Sequence, residues 1–259
     1  GPIAMFYLVK NSRKDCRPVM RSSTDEGETW SEPTQVIPDG EVGYYVLNND
    51  RVVRLESGRL VVPVARHYGP SFEKWTAYAN LACYLSDDGG KTMRRSKTVL
   101  TGERKDTDRV MLQEPGVVEL QDGRLMMFSR TNAGRQYVSY SEDGGETWSE
   151  VRPSNIHSPR SPASIERLPA TGDLLLVWND HSSVPDSLRG KRTPLCAAIS
   201  RDEGRTWENV RTLYDDPQGW YCYTAIECVD GHVLLGHCAS HEHLAQTNIT
   251  RFPVKWLYR

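Results

Sequence analysis

Short apolar runs broken by turn residues follow one another along the whole chain, and no stretch of useful length keeps a helical period of 3.6. Several runs come in pairs joined by a tight turn. Gly116–Leu120 leads through Gln121-Asp122-Gly123 into Arg124–Arg130, and Val52–Leu55 is followed by Arg59–Val64. Ala163–Ile165 precedes Asp173–Trp178, and Tyr223–Ile226 precedes Asp230–Gly236. Short apolar segments with Gly and Asp between them predict antiparallel strands joined as hairpins, so the chain reads as one continuous all-β domain over 1–259.

A second pattern lies over the first. Ser23-Thr-Asp25-Glu-Gly27-Glu-Thr29-Trp30, Ser86-Asp-Asp88-Gly-Gly90-Lys-Thr92-Met93, Ser141-Glu-Asp143-Gly-Gly145-Glu-Thr147-Trp148 and Ser200-Arg-Asp202-Glu-Gly204-Arg-Thr206-Trp207 share Ser-x-Asp-x-Gly-x-Thr. In such a turn the carboxylate can accept main-chain N–H groups, Gly supplies a positive φ, and Thr-Trp restarts a strand with a large anchor. Four copies at one turn position point to structure rather than catalysis. The copies recur at intervals on the order of 60 residues, enough for four short strands and their turns, which is the unit of a β-propeller blade. The first unit begins at its second strand and the fifth copy has no such turn after it. Counted this way the chain holds four full blades and three strands of another, so an N-terminal blade is expected to be missing. A partner strand, or self-association as a homo-oligomer, is expected at the incomplete propeller edge.

Composition narrows the function classes. With 32 basic and 34 acidic residues intermixed, there is no basic stripe for a phosphate backbone, and nucleic acid is not an expected partner. No apolar run is long enough to span a bilayer, so no membrane partner is expected. The six cysteines sit largely inside strand-like runs, which predicts buried free thiols and leans towards a reducing compartment.

In a propeller the starts of the innermost strands and the nearby loops surround a central funnel. Here those segments are unusually polar: Asn48-Asn49-Asp50-Arg51, Gln113-Glu114-Pro115, Ser161-Pro162 and Tyr221-Cys222-Tyr223, with Arg66-His67, Arg130 and Asn179-Asp180-His181 at the ends of second strands. Together with the Asp-box repeats, this resembles the sialidase (neuraminidase) superfamily, and specifically bacterial sialidase-like proteins with BNR/Asp-box repeats, over essentially the whole chain. The resemblance implies a six-bladed sialidase-type β-propeller. It also implies an exo-acting glycoside hydrolase that removes a terminal acidic sugar, sialic acid, from a glycan or glycoconjugate.

The family pattern of a Glu opening an inner strand and an Arg closing the next is similar to Glu114…Arg130. A second family Arg is similar to Arg192 ahead of the third strand, and the nucleophilic Tyr is similar to Tyr223. By the same resemblance Glu114 serves as the base for Tyr223, while Arg130 and Arg192 hold the sugar carboxylate. The family's Arg-Ile-Pro motif and its acid/base Asp are not recognisable. Asp50 is placed as the acid, and Arg51 or Arg66 as the third Arg, by position alone. His67, Gln113, Asp180, His181 and Tyr221 complete the expected substrate-binding set.

Two other readings stand beside this one: a non-catalytic carbohydrate-binding propeller, and a glycosidase or lyase of different sugar specificity using Asp50, His67 and Glu114. His67 and His181 with Asp50, Asp180 and Glu114, and separately Cys238, His241 and His243, have no recognised ligand spacing. Neither a metal nor a cofactor is assigned.

Overall fold

The computed structural model describes residues 2–102, 109–241 and 246–259. Its strands are β1 (Ile3–Lys10), β2 (Cys16–Ser23), β3 (Thr34–Gln35), β4 (Tyr44–Val46), β5 (Val53–Arg54), β6 (Leu60–Tyr68), β7 (Asn80–Ser86), β8 (Arg94–Arg95), β9 (Leu112–Glu119) and β10 (Leu125–Thr131). They continue as β11 (Arg135–Ser141), β12 (Arg152–His157), β13 (Ser164–Arg167), β14 (Leu174–Asn179), β15 (Leu195–Ser200), β16 (Glu208–Tyr214), β17 (Trp220–Val229), β18 (His232–Ser240) and β19 (Thr247–Pro253). A short 3-10 turn, Val254–Tyr258, follows β19. Sheets run in the orders β12-β11-β10-β9, β13-β14-β15-β16 and β17-β18-β19, while β1–β8 form one larger sheet in which β2 and β4 meet at a single parallel bridge, Cys16 with Tyr44. Among the described residues the last sheet has three strands, and the 3-10 turn stands after its third.

The chain divides into two compact units: Gly1–Glu119 with Gly123–Leu125 and Tyr140–Glu150, and Leu120–Asp122 with Met126–Ser139 and Val151–Arg259. In the first, Met20, Val36, Ile37, Tyr45, Val62, Val64 and Tyr84 form a core between the repeat of β1–β3 and that of β4–β8. In the second, Leu175, Val177, Ala197 and Ile199 meet Ile226, Val233, Leu235 and Leu257. Middle strands such as β14 and β15 are buried at every residue. Sheets that pack on both faces bury both side-chain sets, which is why these strands read as unbroken apolar runs rather than alternations.

All four Ser-x-Asp-x-Gly-x-Thr turns close in the same way. In the last, Ser200 Oγ donates to Asp202 Oδ1 at 2.8 Å and accepts the Gly204 N–H at 2.8 Å. Asp202 Oδ1 accepts the Thr206 N–H at 2.8 Å, and its Oδ2 accepts the Thr206 hydroxyl at 2.6 Å. The same four bonds recur at Ser23, Ser86 and Ser141. The glycines at the fifth position have φ between +81° and +93°. They also allow close packing: a methyl on Gly90 would lie 2.4 Å from Met20 Cε, and one on Gly204 3.2 Å from Met126 Cε. The turn of each of these repeats thus rests on a strand of the preceding one. Trp148 adds an anchor, its Nε1–H donating to the Gly145 carbonyl at 3.0 Å.

Ion pairs extend the turns sideways. Arg59 reaches Asp87 at 2.6 Å and donates to the Gly144 carbonyl at 3.1 Å. Glu203 accepts the Gln121 N–H at 2.8 Å and pairs with Arg167 at 2.7 Å. All six cysteines are free, five of them buried.

Two outcomes follow from the turns. Ser86→Ala strands the Gly90 N–H in a buried place and should lower stability by about 1–3 kcal/mol in urea unfolding; no change would remove the hydroxyl from the account. Bonds from Thr29 and then Ser23 hold the Asp25 carboxyl down at about 2, and the carboxyls of Asp88, Asp143 and Asp202 also lie below their ordinary value. A depressed carboxylate stabilises the fold fully above its unfolded pKa of about 4 and loses that contribution as pH falls through the folded value. Thermal midpoints should therefore decline from about pH 4 towards pH 2, and a flat profile over that window would contradict the assignment.

Candidate functional site

Three of the expected reacting side chains share a backbone feature that no sequence pattern announces. Asp50, Glu114 and Tyr223 have φ of +57°, +50° and +55°. For a residue with a side chain this region costs on the order of 1 kcal/mol; Glu26, Glu203, Asn209 and Asp230, in turns and at a bulge, adopt it as well. At Tyr223 the cause is visible. The β17–β18 register shifts between Cys222 and Ala225, so Tyr223 sits on a bulge, which turns the local side-chain direction away from strict alternation. The inner strand starts at Trp220 rather than at Tyr223, and β9 starts at Leu112, ahead of Glu114. Glu114 and Tyr223 thus lie inside strands and not at their first residues, whereas Asp50 lies in the turn between β4 and β5.

The second unit holds the more completely built cluster. Arg192 is 7% exposed, and its guanidinium carbon stands 4.8 Å from the centroid of the Trp220 ring and 5.2 Å from that of Tyr223. The Tyr221 N–H donates to the Arg192 carbonyl at 2.9 Å, fixing the start of β17 against the segment that carries the guanidinium. Burial acts to lower the Arg192 pKa, but the Cys222 thiol and the Tyr223 phenol outweigh it and the group stays charged. Burial pushes the Cys222 thiol up to about 11 although Arg192 pulls the other way, so the thiol is neutral. Among the described residues Arg192 Nη1 is buried without a hydrogen-bond partner. A buried cationic N–H with no acceptor is suited to an anionic ligand.

Other expected residues of this unit are arranged around that cluster or apart from it. Arg130 is 9% exposed near the end of β10. Tyr221 is stacked on Tyr214 at 5.1 Å, and burial, followed by the nearby Asp216, raises its phenol. Asp180 accepts the Ser182 N–H at 2.9 Å in a local turn. The His181 Nε2–H donates to the Thr193 carbonyl at 3.2 Å, and burial lowers its pKa, leaving a neutral imidazole at pH 7. His181 lines a cavity of about 550 Å³ with Asn132, His157, Arg160 and Arg189.

In the first unit, the Gln113 Nε2–H donates to the Ala77 carbonyl at 2.9 Å, pinning the residue before Glu114. Asp50 is exposed and Arg51 is buried; both line a cavity of about 420 Å³ with Phe6, Tyr7 and Asn48. Arg66 lies over the Phe72 ring at 5.6 Å. His67 is buried and stacked on Trp75.

Sequence reasoning passed over Trp220, Cys222 as a neighbour of Arg192, and Trp75. The first two were legible only as part of the aromatic run Trp220-Tyr-Cys-Tyr223. Among the described residues no group of three His, Cys, Asp or Glu side chains could hold a metal ion. His241 pairs with Asp216 at 2.9 Å, Cys238 lies buried in β18, and His243 is outside the described residues.

Comparison with known proteins identifies the family and the fold. Residues 1–235 match the BNR repeat-like domain family. A sialidase of Bacteroides fragilis is 28% identical over 222 residues, covering 82% of this chain and 37% of the relative. A sialidase of Micromonospora viridifaciens is 27% identical over 221 residues, covering 79% of this chain and 31% of the relative. The chain therefore spans about a third of the length of these curated relatives. Among solved structures, a Hadza microbial sialidase superposes with a TM-score of 0.72 at 21% identity, covering 95% of this chain and 47% of that one. The Trypanosoma rangeli sialidase gives 0.67 at 18% identity, covering 97% and 42%. These structures share the fold, the sialidase-type β-propeller. With its four Asp-box turns, its repeated antiparallel sheets and the match over residues 1–235, this chain belongs to the BNR repeat-like domain family of the sialidase superfamily.

Proposed function

We propose that this chain is an exo-acting glycoside hydrolase of sialidase type, removing a terminal sialic acid from a glycan. The observation that carries the reading is the buried Arg192 guanidinium, with a partnerless N–H, seated over the ring of a tyrosine held on a bulge. A sugar carboxylate supplies the planar, doubly accepting anion that such a guanidinium takes.

That carboxylate also explains a tyrosine nucleophile. Beside an anionic substituent an enzymic carboxylate would be repelled, whereas a neutral phenol approaches the anomeric carbon without that cost. In the first step the Tyr223 oxygen bonds to the anomeric carbon and its proton passes to Glu114. The glycosidic oxygen leaves with a proton from Asp50. In the second step water replaces Tyr223, Asp50 accepts the water's proton, and Glu114 returns one to the phenol, giving net retention. A free tyrosine titrates near pKa 10, so a base is needed for the attack at neutral pH. Arg130 and Arg192 hold the carboxylate throughout, with Arg51 as the third guanidinium. Gln113, His67, Asp180, His181 and Tyr221 belong to the substrate-binding surroundings in this reading.

The test is hydrolysis of a fluorogenic sialoside beside neutral and uronic glycosides, with the purified chain and folded Tyr223→Phe and Glu114→Gln variants. Sialic acid release is expected, with kcat/KM lowered about 10²–10⁴-fold in each variant. Activity confined to another glycoside would replace this reading with one built on Asp50, His67 and Glu114. Silence across the panel would replace it with a carbohydrate-binding role.

A further inference from the structure

Trp75, in the connection between β6 and β7, is 44% exposed, yet its indole is firmly placed. Its ring lies parallel to that of His67, with centroids 5.1 Å apart and planes 8° apart. Tyr44 stands edge-on to both, at 6.3 Å from Trp75 and 6.4 Å from His67. His67 is itself 4% exposed, and its Nδ1–H donates to the Thr76 carbonyl at 2.8 Å. The backing ring is therefore locked in tautomer and orientation, and it locks the indole. An exposed tryptophan held this way has little rotamer freedom left to lose when a ligand covers it.

The indole also lines a cavity of about 280 Å³ with Tyr44, Lys10 and Arg13. Lys10 Nζ stands 5.6 Å from the Tyr44 ring centroid. Arg13 lies in the β1–β2 loop, which its own main chain ties: the Asn11 and Ser12 N–H groups donate to the Asp15 carbonyl at 2.9 and 3.0 Å. The loop's one acidic side chain is committed within the loop and to its neighbour, accepting from Asn11 Nδ2 at 2.8 Å and Arg17 Nε at 2.9 Å. Among the described residues the cavity's charged lining is thus wholly cationic.

We infer that Trp75 is the floor of a subsite for a single sugar ring bearing an anionic group, with Lys10 and Arg13 supplying the countercharge. The apolar C–H face of a pyranose covers the negative π-face of the indole, and the cavity, near the lower bound of about 300 Å³ for ligand pockets, suits one ring rather than a chain. The cations select a carboxylate or a sulfate on that ring over a neutral sugar, by an attraction that salt screens. His67 is then a positioning residue that holds Trp75. His67 alone also enters the hydrolytic reading, as a surrounding residue; Trp75, Lys10 and Arg13 have no role in it, and the subsite stands whether or not sialosides are cleaved.

Calorimetric titration of the full chain with methyl β-galactoside, its 6-sulfate and methyl β-glucuronide tests this without a sialoside. The anionic probes should bind at least about tenfold more tightly than the neutral one at low salt, and the gap should close near 0.5 M salt. Tighter binding of the sulfate than of the glucuronide, or the reverse, names the anion. Trp75→Ala should abolish measurable binding, Trp75→Phe should restore part of it, and the paired Lys10→Gln, Arg13→Gln variant should bind all three probes alike. Should Trp75→Ala unfold, the paired surface variant decides alone. Unchanged binding in Trp75→Ala, no preference for the charged probes, or no binding of any probe would overturn the inference.

Discussion

One aspartate carboxylate, repeated four times, sets the geometry on which the other features rest. Each of Asp25, Asp88, Asp143 and Asp202 accepts both the N–H and the hydroxyl of the threonine four residues on, while the serine two residues back satisfies the intervening glycine N–H. The turn is closed by its own side chains and needs no neighbouring sheet to define it. Its glycine then lets the turn approach the preceding repeat closely, as Gly90 does on Met20 and Gly204 on Met126. Local closure and repeat-to-repeat packing are thus one device, which is how a chain of short, individually marginal sheets holds together.

The same repetition leaves other positions free to be strained. With turns and middle strands fixing each sheet, Asp50, Glu114 and Tyr223 can occupy a left-handed backbone that their residue types disfavour. The bulge at Tyr223 and the aromatic cradle of Arg192 lie in parts of the repeat separate from the Asp-box turns. In the proposed reading function rests on those side chains and the Asp-boxes serve the fold.

What the sequence made legible follows from range. The Asp-box bonds join residues two or four apart, so Ser-x-Asp-x-Gly-x-Thr could be read as a turn from spacing alone, and the hairpins on either side followed from Gly and Asp between apolar runs. The residues near the reacting groups could be named from the family pattern, but not their setting. The left-handed backbone of Tyr223 goes with a bulge in its pairing with β18, and Trp220 and Arg192 are brought together across the sequence, beside the 2.9 Å bond from the Tyr221 N–H to the Arg192 carbonyl. Trp75 lies in the irregular stretch Gly69–Ala79, where no periodicity marks it, and its stack on His67 is a tertiary fact. The placement of the acid at Asp50 rested on position alone. The structure adds a left-handed backbone there, shared with Glu114 and Tyr223 but also with turn residues such as Glu26 and Asp230, so it does not single Asp50 out.

The most direct measurement of the central proposal, that Tyr223 is the nucleophile, is trapping of the glycosyl–enzyme bond. A 2,3-difluoro-sialic acid loses its C2 fluoride when an enzymic oxygen attacks, and its C3 fluorine slows the hydrolysis that follows. Intact mass and peptide mapping after incubation should show one added sugar on the peptide bearing Tyr223, absent from Tyr223→Phe. No adduct, or an adduct on Asp50 or Glu114, would contradict the account.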